Sequence, residues 1–91
     1  MTDNTVALVT ERSKTHGRFE DHARVTQKLK RVVYEEAVAR EERGQPYLTE
    51  MQRESIEMIL HKIGRIVAGD ANYPDHWDDI AGYAKIANGS F

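Results

Sequence analysis

Five acidic side chains in the second half of the sequence have the type and spacing of ligands for a divalent cation. Glu54 and Glu57 stand three residues apart, so on a helix both carboxylates lie on one side and reach one ion. Asp75, Asp78 and Asp79 follow near the start of the next predicted helix. We therefore treat all five as candidate Mg²⁺ ligands. Two alternatives stay open: a solvated or ion-paired role for the glutamates, and a helix-capping role for Asp75.

The order of the helices bears on whether these carboxylates can share one metal ion. If the last two helices pack antiparallel through a short loop, the start of the last helix lies beside the end of the one before. Glu54 and Glu57 then lie roughly two to three turns away from the aspartates. They would face the far end of the last helix or a neighbouring chain. This geometry argues against a single site built from all five groups.

Positive and aromatic groups near the same carboxylates suit a phosphorylated ligand. Lys62 and Arg65 can meet phosphate, and Trp77 or Tyr83 can stack on a base. Trp77 is alternatively a core residue, because it begins an apolar stripe on the last helix. We predict that Asp79 pairs with Arg65 at the edge of this pocket.

A second basic segment precedes the long helix. Residues 12–18 contain three cations, Arg12, Lys14 and Arg18, together with His16 and Gly17. Such a loop can hold a phosphate or can be a solvated turn, and the sequence leaves both readings open. Two further histidines, His22 and His61, fall on helices and are interpreted as packing residues.

Four helices are needed to place these groups. Residues 1–12 favour a short helix over a strand. Residues 18–43 contain no Gly or Pro and are flanked by Gly17 and Gly44, so they are predicted to form one long helix. The third helix covers 49–68 and starts with a capping box of Thr49 and Gln52. The fourth begins near His76, after an Asp75 cap, and its apolar stripe consists of Trp77, Ile80, Ala81, Ala84 and Ala87.

Apolar residues define the packed faces predicted for the second and third helices. Phe19, His22, Thr26, Leu29 and Val33 trace the buried face predicted for the second helix. Large aliphatic residues occur on both sides of the third, and Met58 or Ile66 is predicted to lie between subunits.

Composition narrows the class of protein. The 91 residues suffice for one domain, residues 1–91, with a modest core, and the formal net charge of −2 implies no general nucleic-acid binding. The absence of cysteine excludes disulfides and Cys-ligated zinc, and no apolar run is long enough for a membrane span. We expect a cytoplasmic, all-α, compact four-helix bundle that is completed by homo-oligomerisation.

Two stretches resemble a known group of proteins. Lys62-Ile63-Gly64-Arg65 and the run from Asp75-His76-Trp77-Asp78-Asp79 to Ala84 resemble small phage and prophage proteins of unassigned function. The segment 15–19 resembles that family's entry to its long helix. The family is similar to the MazG-like all-α nucleotide pyrophosphohydrolases. The resemblance therefore implies a MazG-like helical fold, nucleotide binding and, for a phage protein, the cytoplasm of a bacterial host.

In MazG-like enzymes an ExxE pair and an ExxD pair hold Mg²⁺ on the phosphates of a nucleotide. The resemblance assigns the first pair to Glu54 and Glu57. The second corresponds to Asp75-x-x-Asp78, with Asp in place of the usual Glu. Two mechanisms follow: Mg²⁺-dependent pyrophosphate hydrolysis, or non-catalytic sequestration of a linear or cyclic nucleotide used as an immune signal. The alternative of another class is a helical interaction module that binds and inhibits a host protein.

Overall fold

The computed structural model describes residues 3–89 as four helices. They are α1 (Asp3–His16), α2 (Phe19–Glu42), α3 (Glu50–Ala68) and α4 (Pro74–Asn88). No strand occurs within these residues, so the all-α prediction is confirmed. Within the same residues no helix combines the length and apolar character needed to span a membrane.

Two of the predicted helix ends are confirmed in atomic detail. The Thr49 hydroxyl accepts a hydrogen bond from the Gln52 backbone N–H at 3.0 Å, and the Gln52 amide oxygen accepts one from the Thr49 N–H at 3.0 Å. This reciprocal pair is the predicted capping box. Gly44 follows the last residue of α2 and its C-cap Arg43, with φ +82°, a conformation that favours glycine.

Two other boundaries differ from the predictions. Helix α1 continues to His16, so the predicted loop 12–18 shrinks to Gly17 and Arg18. Helix α4 starts at Pro74 with Tyr73 as its N-cap, so Asp75 lies in the first turn and does not cap it. Proline is well suited to the first helical position because its missing N–H has no intrahelical partner there. This preference outweighs the capping tendency of Asp75.

Helix α3 is the centre of the molecule and packs against both α2 and α4. It approaches α2 closely at Gly64, where an added Cβ would overlap the Thr26 hydroxyl and crowd the His22 ring. Among the described residues, the only large apolar side chain that is buried is Leu60. The other buried side chains are polar: His22, Thr26, Ser55, Lys62 and His76.

The apolar stripe predicted for α4 faces outward. Trp77 is 54% exposed, and Ala81 and Ala84 are also exposed. The packed side instead carries buried His76 and half-buried Ile80. The core interpretation of Trp77 is therefore wrong. The reason is that α4 is oriented by polar contacts of His76 and Asp79, which a search for apolar periodicity does not detect.

The predicted faces of α2 and α3 are only partly correct. His22 and Thr26 are buried as expected, whereas Phe19 is 78% exposed. Met58 and Ile66 are half-buried within the single chain. Their proposed place between subunits stays a prediction.

Candidate functional site

A cavity of about 760 Å³ opens between the C-terminal half of α1, the start of α2 and the C-terminal half of α3. Six of its twelve lining residues carry a guanidinium or an imidazole group. The one carboxylate in the lining, Glu20, forms an ion pair with Arg18. The basic and aromatic lining residues are Arg12, Arg18, Arg65, His16, His22, His61 and Phe19.

The end of α1 is held in place by the backbone of Thr15. Its carbonyl oxygen accepts two hydrogen bonds, one from the Asp70 N–H at 2.9 Å and one from Nε2 of His76 at 3.0 Å. Gly17 and Gly69 touch at the same place, since an added Cβ on either would overlap the backbone of the other turn. The α1–α2 turn and the α3–α4 turn therefore form one rigid end of the bundle, which fixes that wall of the cavity.

All four histidines of the sequence meet at this end of the molecule. The rings of His22 and His61 pack edge to face with centroids 4.4 Å apart, and those of His16 and His76 do so at 4.9 Å. Nε2 of His22 donates to the His61 carbonyl oxygen at 3.1 Å. Nδ1 of His16 lies 2.6 Å from the Thr15 hydroxyl. These bonds fix the orientation of the rings that line the cavity.

The histidines of the cavity are mainly neutral at pH 7. Burial, together with the positive charge of Arg65, lowers the pKa of His61 to about 4. The pKa values of His16 and His22 are also lowered, in both cases mainly by burial. The neutral rings present N–H donors and nitrogen acceptors without adding to the positive charge.

The guanidinium groups carry that charge. Arg65 is half-buried, and its pKa is lowered by burial and by the nearby charge of Arg12. Within residues 3–89 neither of these two arginines forms an ion pair with an Asp or Glu. The cavity thus places two mutually repelling cations close together, and the carboxylate that acts on Arg65, that of Asp79, is already paired with Lys62. This arrangement favours an anionic ligand.

A family model described as "Domain of unknown function (DUF6378)" matches residues 1–90. The chain belongs to the DUF6378 family. No curated protein and no solved structure matches it. The resemblance to MazG-like enzymes and to phage proteins therefore stays a prediction for this DUF6378 chain.

Two of the site residues predicted from the sequence bind each other. Nζ of Lys62 lies 2.7 Å from Oδ2 of Asp79, and the Lys62 side chain is almost entirely buried. This hydrogen bond and ion pair lower the pKa of Asp79. Asp79 forms its ion pair with Lys62 and not with Arg65 as predicted, although it lies near enough to Arg65 for each to shift the other's pKa. The aliphatic stem of Lys62 packs between helices and delivers its ammonium group to the carboxylate. Lys62 and Asp79 thus have a packing role in the DUF6378 fold.

The remaining candidate metal ligands lie apart. Glu57 pairs with Arg53 at 3.3 Å on the same face of α3, and the Asp75 carboxylate accepts a hydrogen bond from the Tyr73 hydroxyl. Glu54 and Asp78 are exposed. No three His, Asp or Glu side chains of residues 3–89 converge as a metal site. A Mg²⁺ site that uses one or two of these carboxylates together with ligand phosphates stays a prediction.

The four residues predicted to bind a nucleotide do not lie together in the structure. Of Lys62, Arg65, Trp77 and Tyr83, only Arg65 lines the cavity. Trp77 lies elsewhere, with its indole N–H donating to the Ala71 carbonyl at 2.7 Å. Tyr83 is half-buried on α4, near enough to Arg65 to affect its pKa.

Several cavity residues had been interpreted differently in the sequence. The basic segment of Arg12, His16 and Arg18 could be either a phosphate-binding loop or a solvated turn by its sequence. In the structure the side chains of these three residues line the cavity. His22 and His61 were predicted to be packing residues; their rings do pack against each other, and they also line the cavity. Arg65 was predicted to meet phosphate and does line the cavity, but only the four-helix arrangement brings Arg12 to it.

Proposed function

We propose that this protein binds a small phosphorylated ligand, a nucleotide, in the basic cavity at the end of α1. The observation that carries the proposal is the pair of Arg12 and Arg65, which line the cavity together, repel each other and form no ion pair with a carboxylate in the described part of the chain. A phosphate between them would relieve this repulsion. Guanidinium groups also match phosphate oxygens by paired hydrogen bonds.

The size and lining of the cavity support a nucleotide over a simple ion. Its volume of about 760 Å³ lies within the range of small-molecule sites. His16, His22 and His61 offer further polar contacts for a sugar or base. Phe19 lies at the rim with a largely exposed ring, on which a base can stack. This ring takes the role that the sequence analysis gave to Trp77.

Binding without cleavage is the mechanism that this cavity supports best. Its lining contains one carboxylate, Glu20, which is occupied by Arg18. Mg²⁺-dependent pyrophosphate hydrolysis stays a prediction. If Glu54 and Glu57 hold the metal with groups from outside the chain, Glu57→Gln should abolish hydrolysis and preserve helix content. We favour sequestration of a linear or cyclic nucleotide signal in the cytoplasm.

The competing function, inhibition of a host protein, relied on an exposed Met58 and Ile66 patch. Both side chains are half-buried against the rest of the chain. The proposal of nucleotide binding is therefore preferred.

A thermal-shift screen of linear and cyclic nucleotides, with and without Mg²⁺, tests the proposal. A ligand at one hundred times its Kd stabilises the folded state by about 2.7 kcal/mol and raises Tm. Arg65→Gln should weaken binding at least tenfold, because a charged contact to phosphate is lost. The matched control is Arg53→Gln on the same helix, outside the cavity. Wild-type affinity in Arg65→Gln would contradict the proposal.

A further inference from the structure

The N-terminal part of α1 projects from the rest of the chain. Every residue from 4 to 12 is exposed, including Val6 at 60% and Val9 at 61%. The contacts that hold α1 lie at its other end, around Thr15 and Gly17. Val6 and Val9 are separated by less than one turn, so they lie on the same side of α1. Val9 also lines the cavity, so this apolar face runs from the cavity wall to the exposed start of the helix.

Such a helix is not stable on its own. Its 14 residues are near the lower limit for an isolated helix in water, and Asn, Thr and Val are weak helix formers. Most helical stability in proteins comes from packing an apolar face. The face of Val6 and Val9 therefore needs a cover.

The surface area of the whole chain leaves room for an interface with a second copy. A folded monomer of 10.4 kDa exposes about 5,400 Å², whereas this chain exposes 6757 Å². Its radius of gyration is 15.7 Å, against about 12 Å for a compact domain of this length. The excess area, about 1,400 Å² by the same scaling, is enough for one partner's side of a stable interface, about 800 Å².

We infer that the apolar face of α1 packs against a second copy of this chain, and that this contact holds α1 in place as a wall of the cavity. Val9, Thr10, Arg12 and Ser13 of α1 line the cavity opposite His22, His61 and Arg65. The wall is thus part of the least supported helix. The part of the inference that concerns ligand affinity rests on the proposed function, whereas the interface itself does not.

Val6→Glu tests the interface, because it places a charge on the apolar face without touching the cavity. The matched control is Val32→Glu, at a similarly exposed position on α2. Sedimentation analysis of the wild type and of Val32→Glu should give a multiple of 10.4 kDa. Val6→Glu should give the monomer mass and should keep, by circular dichroism, at least the helix content that α2–α4 account for. A monomeric wild type at about 100 µM, or association that survives in Val6→Glu, would overturn the inference.

Hydrogen exchange and a ligand probe separate this inference from the proposed function. Amides of residues 5–11 should be protected in the associated wild type and lose protection at least tenfold on dilution or in Val6→Glu. Inorganic pyrophosphate should bind the wild type at least tenfold more tightly than Val6→Glu. If pyrophosphate fails to bind any variant, the proposed function is in error, and the masses and amide protection still decide the interface. Equal pyrophosphate affinity in monomer and oligomer would refute the role of the contact in the site.

Discussion

Lys62 places an ammonium group where a helical bundle usually packs an aliphatic side chain. Its side chain is nearly buried, and the carboxylate of Asp79 on α4 is its partner at 2.7 Å. Removing Asp79 leaves a buried donor unpaired, which is worse than removing both members of the pair. We expect Asp79→Asn to lower the free energy of unfolding more than the neighbouring change Asp78→Asn.

Urea denaturation of Asp79→Asn, Lys62→Met and the double variant measures this coupling. The double variant should lose less stability than the sum of the two single variants. Additive losses would show that the ion pair contributes nothing beyond its separate side chains.

The histidines of the cavity predict the direction of the pH dependence of stability. Because the pKa of His61 falls from 6.5 to about 4 on folding, the unfolded chain binds more protons between these values. The free energy of unfolding should therefore fall as the pH is lowered from 6.5 towards 4, and should be independent of His61 above that range. His16 and His22 act in the same direction. In urea melts from pH 4.5 to 7.5, His61→Gln should show a shallower slope, and an unchanged slope would contradict this origin.

At the scale of the helices, substitution by alanine should have opposite effects on stability at two glycines that both lie inside helices. Gly64 in α3 has no space for a methyl group, because Thr26 and His22 of α2 lie against it, whereas Gly82 in α4 faces open space. Gly64→Ala should therefore destabilise the fold by about 1–3 kcal/mol. Gly82→Ala should stabilise it by about 0.5–1 kcal/mol through helix propensity. Denaturant melts of the two variants check this, and equal effects would argue against close contact of α2 with α3.

The turns allow a second matched comparison. Gly17 and Gly44 both have positive φ, +79° and +82°, but only Gly17 is pressed against the α3–α4 turn. Gly44→Ala should cost about 1 kcal/mol for the backbone conformation alone. Gly17→Ala should cost about 1–3 kcal/mol more, because the obstructing atoms are backbone. Thermal melts measure the difference, and similar losses would mean that the two turns do not touch.

Local signals in the sequence were sufficient for the elements but not for the site. The capping box at Thr49 and the glycine after α2 act through neighbouring residues, so spacing alone identifies them. The orientation of α4 depends on His76 reaching Thr15 across the chain. Apolar periodicity selected Trp77 instead, because it gives no weight to buried polar contacts. Likewise Arg12 and Arg65 are brought together only by the arrangement of all four helices.

At the scale of the whole molecule, the two kinds of binding proposed here should respond differently to salt. Phosphate binding by Arg12 and Arg65 is electrostatic, whereas association through Val6 and Val9 is apolar. Raising KCl from about 50 to 500 mM shortens the screening length roughly threefold. Pyrophosphate affinity should therefore fall severalfold while the sedimentation mass stays constant. Dissociation at high salt with unchanged ligand affinity would reverse both assignments.

The double hydrogen bond to the Thr15 carbonyl also has a consequence for the order of folding. One of its donors, His76, stands 61 residues further along the chain. The helix pairs α2–α3 and α3–α4 join segments close in sequence, whereas this contact must close a long loop, which slows its formation. It should form after the folding transition state, so that weakening it accelerates unfolding and leaves the folding rate nearly unchanged. The wall of the cavity would then be the last part of the chain to assemble and the first to open.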